Sequence, residues 1–403
     1  MQSERRRVLL ANLIAAFAVA GWSSPVGATT TIDPTASASD AAITVPIVDI
    51  VDESPVIQAY INGKGPFRFK FDSASCDLVN GATASALGLS ISGRADVDEI
   101  AGPIPSTTSS VDLRIAGGQS LKTTIYVMPD SWHDNPTING WLGKGLLDHY
   151  TVTLDMPHRR MILAPSGAYT PPAGSTVLPM NGSGGLYAVP ARIDGLSGTF
   201  AIDMGARVHV LLSAAFQQTP GFEREYSSRG LAGELGGPSG IKAPIRALPG
   251  HVLEIGDQQI ADPLIVLLER DDLPQLHGLS GLIGLHALQQ FEITFDVAGS
   301  RFVLSDRQPS NVLHHGIGFD AEADADGISI RRVLRGSPAW ETGLRDGDRI
   351  LEVEHQPISD VSQRAWATLS QTTDGAVVHL VAQRGNSAPR RLDIVLKAWK
   401  EQF

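Results

Sequence analysis

Two aspartates stand at matching points of the chain, and each is followed by small residues. Asp72 closes the run "FRFKFDSAS" and is followed by Ser73, Ala74 and Ser75; Asp203 closes "TFAIDMGA" and is followed by Met204, Gly205 and Ala206. A carboxylate at the end of an apolar alternating strand is expensive to bury alone. Two carboxylates in contact resist ionising together and hold one proton between them over a wide acidic range. The ionised member can take a proton from a water molecule, and the protonated member can donate to a carbonyl oxygen. That is general acid–base hydrolysis of an amide without a covalent intermediate. The small residues after each aspartate let backbone N–H groups approach the carboxylates.

The elements that must position these groups are repeated. "YINGKGPFRFKFDSAS" and "RIDGLSGTFAIDMGA" each read as strand, tight turn, strand and aspartate. Asn62-Gly63 and Asp194-Gly195 are strong signals for two-residue hairpins. Further on, "GWLGKGLLDHYTVTLDMPHRRMILA" from Gly140 aligns with "GLIGLHALQQFEITFDVAGSRFVLS" from Gly281. Between these markers each copy has a glycine-rich stretch, near Gly102 and at Gly236-Gly237, and then a β-like pair. Landmarks kept in the same order mark an internal duplication. A pseudo-twofold arrangement of the copies would bring Asp72 and Asp203 together at their interface, beside a cleft long enough for an extended peptide.

These motifs resemble the retropepsin-like (pepsin-clan) aspartic proteases. The match lies in Asp72-Ser73-Ala74-Ser75 with Trp141-Leu142-Gly143, and in Asp203-Met204-Gly205-Ala206 with Leu282-Ile283-Gly284. It spans roughly residues 45 to 305. The resemblance implies two tandem β-barrel lobes forming a pepsin-like bilobal unit, Asp72 and Asp203 as the catalytic dyad, the glycine-rich stretches as flaps, and no cofactor. The chain departs from the family pattern at two places. Ser73 keeps the hydroxyl that the family uses to bond across the axis, whereas Met204 cannot make that bond. Ala74 replaces a glycine, and its Cβ is expected to strain the loop or narrow the cleft. Two readings follow, a working aspartic endopeptidase and an inactive peptide-binding scaffold.

The C-terminal region is of another kind. Gly316-Ile317-Gly318-Phe319 precedes a β-like run, then Gly336-Ser337-Pro338-Ala339 and Gly347-Asp348-Arg349-Ile350. This resembles a PDZ domain of α+β type. The resemblance implies that N–H groups of residues 316–319 receive a peptide C-terminal carboxylate, with Ile317 and Phe319 lining an apolar pocket and the adjoining strand pairing with the peptide. "DVSQRAWATLSQ" reads as the helix of the opposite wall, N-capped by Asp360.

Composition agrees with a mainly β, globular chain of 403 residues, with 42% apolar and 19% charged residues. A net charge of −11 argues against a nucleic-acid partner. Residues 1–28 read as a bacterial export signal: the basic start "MQSERRR", a short apolar core, and Val26-Gly27-Ala28 for cleavage. A periplasmic or secreted protein is therefore expected, and no later segment reads as a membrane span. The expected divisions are signal 1–28, leader 29–44, first lobe 45–164, linker 165–174, second lobe 175–306 and PDZ domain 312–400. Cys76 is the single cysteine, so no intrachain disulfide can form, and it reads as a buried filler rather than a nucleophile. "NGSGG" at 181–185 resembles a serine-protease nucleophile segment only superficially, since it precedes a repeat strand and follows Met180. His314-His315 are adjacent rather than at ligand spacing, so no metal site is expected. The low aromatic content argues against a paired-carboxylate glycosidase, which needs stacking platforms for sugars.

Overall fold

Both sequence-marked hairpins form, with the turn chemistry that their residues dictate. Strands Ser54–Ile61 and Lys64–Phe71 are joined at Asn62 and Gly63, with φ of 50° and 76°; strands Leu186–Ile193 and Leu196–Asp203 are joined at Asp194 and Gly195, with φ of 49° and 82°. Consecutive left-handed residues give the turn whose twist matches the strands, and Asn or Asp before Gly accepts it most readily. The computed structural model describes residues 19–20, 42–51, 53–99, 102–115, 118, 120–132, 134–183, 185–226, 231–239, 242–268, 276, 278–305, 316–324, 327–358, 375–397 and 399. The export-signal residues other than 19–20, the leader up to residue 41, His314-His315 and the expected helix from Asp360 lie outside them.

Two compact units emerge. The larger contains the duplication, and its strand order repeats it. In the first copy neighbouring strands run Gly102–Ile115, Ser120–Val127, Leu78–Val79, Gly140–Leu142, Lys64–Phe71, Ser54–Ile61. In the second they run Lys242–Pro249, Leu264–Leu268, Val210–Leu212, Gly281–Gly284, Leu196–Asp203, Leu186–Ile193. Pairing sense is repeated too. Gly140–Leu142 lies parallel to Phe69–Phe71, and Gly281–Gly284 parallel to Phe200–Asp203. The glycines are forced by this packing. A Cβ on Gly140 would stand 2.0 Å from the Leu78 carbonyl oxygen, and one on Gly281 1.9 Å from that of Leu211.

A six-stranded sheet joins the lobes, in the order Thr176–Pro179, Arg301–Ser305, Glu292–Asp296, Tyr150–Asp155, Arg160–Pro165, Ile43–Pro46. At its centre Thr153 pairs with Thr294, its counterpart in the other copy, with the hydroxyl oxygens 2.8 Å apart. The pseudo-twofold axis passes there. Each side repeats an ion pair between a buried aspartate and a more exposed arginine: Arg160 Nε donates to Asp155 at 2.7 Å, and Arg301 Nε to Asp296 at 2.8 Å. One apolar core runs through both lobes and includes Phe69, Phe71, Phe200, Ile202, Phe295 and Phe302. Asn181–Ser183 forms a short strand paired with Leu186–Ala188.

The smaller unit holds a separate core around Ile328, Ile330, Leu344, Ile350, Val378 and Ile394. Its sheet runs Phe319–Asp324, Gly327–Val333, Asp348–Val353, Val377–Arg384, Arg390–Val395, which leaves Phe319–Asp324 at the edge. Short helix Pro338–Glu341 starts at Ser337, whose hydroxyl accepts the Trp340 N–H at 3.1 Å. Buried Asp348 is held by Arg384 and Arg390, each at 2.6 Å. Among the described residues no helix is long and apolar enough to cross a membrane.

Candidate active site

Each aspartate stands where a strand hands over to a tight loop. Asp72 follows Phe71 directly, and its N–H bonds to the Leu142 carbonyl at 2.9 Å; Asp203 ends its strand in register with Gly284. The two loops are braced alike. Lys144 N–H reaches the Ser75 carbonyl at 2.8 Å, and Leu285 N–H reaches the Ala206 carbonyl at 2.8 Å. A Cβ on Gly143 would stand 2.1 Å from the Asp72 carbonyl oxygen, and one on Gly284 2.5 Å from that of Ala206. The later glycine motif in each copy therefore exists to let the aspartate loop lie on its backbone.

The fold brings both carboxylates together, and both are buried, Asp72 at 2% exposure and Asp203 at 0%. The Ala74 N–H donates to Asp72 Oδ1 at 2.9 Å; the Gly205 and Ala206 N–H groups donate to Asp203 Oδ1 at 2.8 and 3.0 Å. The remaining oxygens, Asp72 Oδ2 and Asp203 Oδ2, are buried without a hydrogen-bond partner among the described residues. Gly205 packs against the opposing carboxyl, since a Cβ on it would come within 2.1 Å of Asp72 Oδ2. Burial raises both groups. Asp72 is pushed up to about 7, opposed first by N–H donation from Ala74. Asp203 lies well above the ordinary carboxylate range through burial and then the charge of Asp72. The pair therefore holds a proton between two acids that differ in environment.

Ser73 ties the two loops together. Its hydroxyl donates to the Ile202 carbonyl at 2.9 Å and accepts the Met204 N–H at 3.0 Å. Met204 returns no such bond, having no hydroxyl, and its side chain lies wholly in the apolar core. Half of a reciprocal brace is thus present. Ser73→Ala would leave the Ile202 carbonyl and the Met204 N–H buried and unpaired. The expected cost is about 2–6 kcal/mol, at about 1–3 per orphaned group, read as a lower denaturation midpoint. Ala74 is buried but does not adopt a left-handed φ, so the expected strain from its Cβ takes no such form. Ser75 lies between them, its hydroxyl bonded to the Cys76 carbonyl at 2.7 Å. Cys76 is buried, and burial followed by the charge of Asp77 pushes its thiol up, away from nucleophilic behaviour.

Asp77 supports the site although no motif marks it. Its Oδ1 accepts the Gly143 N–H at 2.9 Å, which holds the glycine that supports Asp72. Burial pushes its carboxyl up to about 6, against the Gly143 N–H. Between Ala206 and its next strand the second copy has only Arg207, Val208 and His209, with no carboxylate, and that mismatch within the repeat is the one signal the sequence offers. Among the described residues no cluster of His, Cys, Asp and Glu could hold a metal ion.

In the smaller unit Gly316 and Gly318 are left-handed, with φ of 95° and 79°. A Cβ on Gly318 would meet the Ser337 Cβ at 2.1 Å, so this loop admits only glycine there. The Ser337 hydroxyl donates to the Gly318 carbonyl at 3.0 Å, Ile317 is buried in the core, and Phe319 packs against that core as the edge strand begins. The expected loop and its adjoining edge strand are both present.

Residues 307–383 match the family model of the PDZ domain. Among solved structures, the aspartic proteinase from Irpex lacteus is similar at 13% identity and a TM-score of 0.43, over 68% of this chain and 99% of that one. A photosystem II D1 C-terminal processing protease is similar at 22% identity and a TM-score of 0.19, over 21% of this chain and 23% of that one. No curated protein matches the chain.

Proposed function

We propose that the chain is an exported aspartic endopeptidase whose PDZ domain binds polypeptide C-termini or selects substrates. The observation that carries this reading is the buried pair Asp72 and Asp203, set on matching loops and joined across the lobes by Ser73. Two buried carboxyls are costly, and a purely structural interface would be more stable with apolar side chains in their place. A water molecule held between the unpartnered oxygens is the nucleophile. The ionised carboxylate takes its proton as the oxygen attacks the peptide carbonyl, and the protonated carboxyl donates to the carbonyl oxygen. The resulting gem-diol collapses as a proton passes to the amine nitrogen and the C–N bond breaks. The chemistry needs no cofactor.

In the PDZ domain a peptide carboxylate is received by N–H groups of residues 316–319, and its backbone extends the sheet along Phe319–Asp324. The N-terminal segment directs the chain to the bacterial periplasm or beyond.

The deciding assay uses protein from Thr29 onward, with Asp72→Asn and Asp203→Asn alongside, on a diverse peptide mixture from pH 3 to 7. Mass spectrometry is expected to find new termini with the parent protein and none with either variant. A second reading, a peptide-binding scaffold without activity, draws on the missing hydroxyl at Met204. Retention of peptides with no cleavage at any pH would establish it instead.

A further inference from the structure

One further buried carboxylate belongs to both lobes at once. Glu99 ends strand Gly93–Glu99 of the first-lobe hairpin and is 1% exposed. Its Oε1 accepts the indole N–H of Trp132, in the same lobe, at 2.9 Å. Its Oε2 accepts the backbone N–H of Ser239, in the glycine-rich loop of the second lobe, at 3.2 Å. Gly237 of that loop lies so close that a Cβ on it would stand 2.7 Å from Oε2. We propose that Glu99 is a latch that holds the first-lobe hairpin to the second-lobe glycine loop across the cleft, so that peptide entry requires breaking its bond to Ser239.

The latch is anchored toward the dyad. The Trp132 ring stands edge-on to Trp141, centroids 5.1 Å apart, and the Trp141 indole N–H donates to Asp134 Oδ2 at 2.6 Å. Asp134 Oδ1 accepts from the Lys70 ammonium at 2.7 Å, with both side chains buried. Lys70 lies two residues before Asp72, and Trp141 pairs with it in register. A continuous path thus runs from the second-lobe loop through Glu99 and two indoles to the strand that presents Asp72. A carboxylate has only acceptor sites, so it bonds the Ser239 N–H and the Trp132 N–H together and can bond a peptide N–H once the loop withdraws. The change Glu99→Gln would keep the bond to Trp132 and turn an NH₂ toward the Ser239 N–H.

The proposal rests on the cleft reading above, but its test needs no activity. Backbone hydrogen exchange is measured on the chain from Thr29 onward, as parent protein, Glu99→Gln and Trp132→Phe. Exchange in strands Gly93–Glu99 and Lys242–Pro249 is expected to rise about tenfold in Glu99→Gln, while strands Tyr150–Asp155 and Glu292–Asp296 stay unchanged. Trp132→Phe should show the same pattern more weakly. Unchanged exchange in both hairpin strands would overturn the latch, as would a rise spread evenly over the central sheet. If the parent protein cleaves no peptide while the local rise appears, the hydrolase reading fails and the latch stands.

Discussion

Asp203→Asn is expected to lower peptide cleavage on the order of 10³-fold, the scale at which one positioned proton-transfer group contributes. Asn can neither release nor accept the proton that the pair exchanges, yet it fills the same space and keeps an oxygen for the Gly205 and Ala206 N–H groups. Asp72→Asn should do the same. The parent pH profile follows from the directions of the two shifts. Cleavage needs one carboxyl ionised and one protonated, so kcat/KM rises with pH along an acid limb and falls only when the second proton leaves. Since burial raises Asp72 to about 7, the acid limb should have its midpoint above the ordinary 3.8 and no higher than about 7. A midpoint at or below 3.8 would contradict the buried pair.

The same shifts set a stability signature with an unusual sign. The native pair binds more protons than the unfolded chain wherever pH lies between the ordinary and the raised values. Its contribution to stability is therefore unfavourable above about 7 and is relieved as pH falls toward 4. The full difference for Asp72 is on the order of 4 kcal/mol, at about 1.4 per factor of ten in proton affinity. Asp72→Asn should lose the Asp72 share of this gain on acidification and keep the share of Asp203, which urea denaturation at about pH 5 and about pH 7.5 would reveal.

Gly205→Ala is the second large effect expected. The new Cβ would stand 2.1 Å from Asp72 Oδ2 and 2.4 Å from its Cγ. The Asp72 carboxyl cannot simply swing aside, because it is buried and its other oxygen is held by the Ala74 N–H. Either the carboxyl leaves its place or the loop between Asp203 and Ala206 shifts. Catalytic groups displaced by an ångström lose on the order of 10²-fold in rate, and overpacking costs about 1–3 kcal/mol. Steady-state kinetics should show the loss in kcat, together with a lower denaturation midpoint. The matched position in the first copy is already Ala74, so the two loops are not interchangeable. Unimpaired cleavage by Gly205→Ala would mean that Asp72 does not work from this position.

The repeat is legible along the chain, and with it the pairing of the aspartates. Local chemistry is enough for this. Asn-Gly and Asp-Gly accept consecutive positive φ, alternating residues make strands, and glycines recur wherever a second backbone crosses. Order along the chain then implies a twofold arrangement, because two like lobes with apolar faces bury them by packing symmetrically. The Gly316-Ile317-Gly318-Phe319 loop is legible for the same local reason, since positive φ at 316 and 318 demands glycine.

Contacts between residues far apart in sequence emerge only on folding. That Ser73 bonds both Ile202 and Met204, across about 130 positions, follows from lobe docking and not from any local pattern. Ala74 reads as a defect because a family glycine is missing, but its backbone does not enter the region where glycine is needed. Gly205 reads as an ordinary small residue, whereas it is fixed by the opposing carboxyl. Asp77 leaves only a mismatch within the repeat and Glu99 no mark in the sequence, since an isolated acid reads as solvated surface. Only the folded chain shows them buried, one against the Gly143 N–H and the other between two lobes. Burial is a property of the assembled core, and it is burial that turns an acidic side chain from a solubilising group into one that holds a proton or a loop in place.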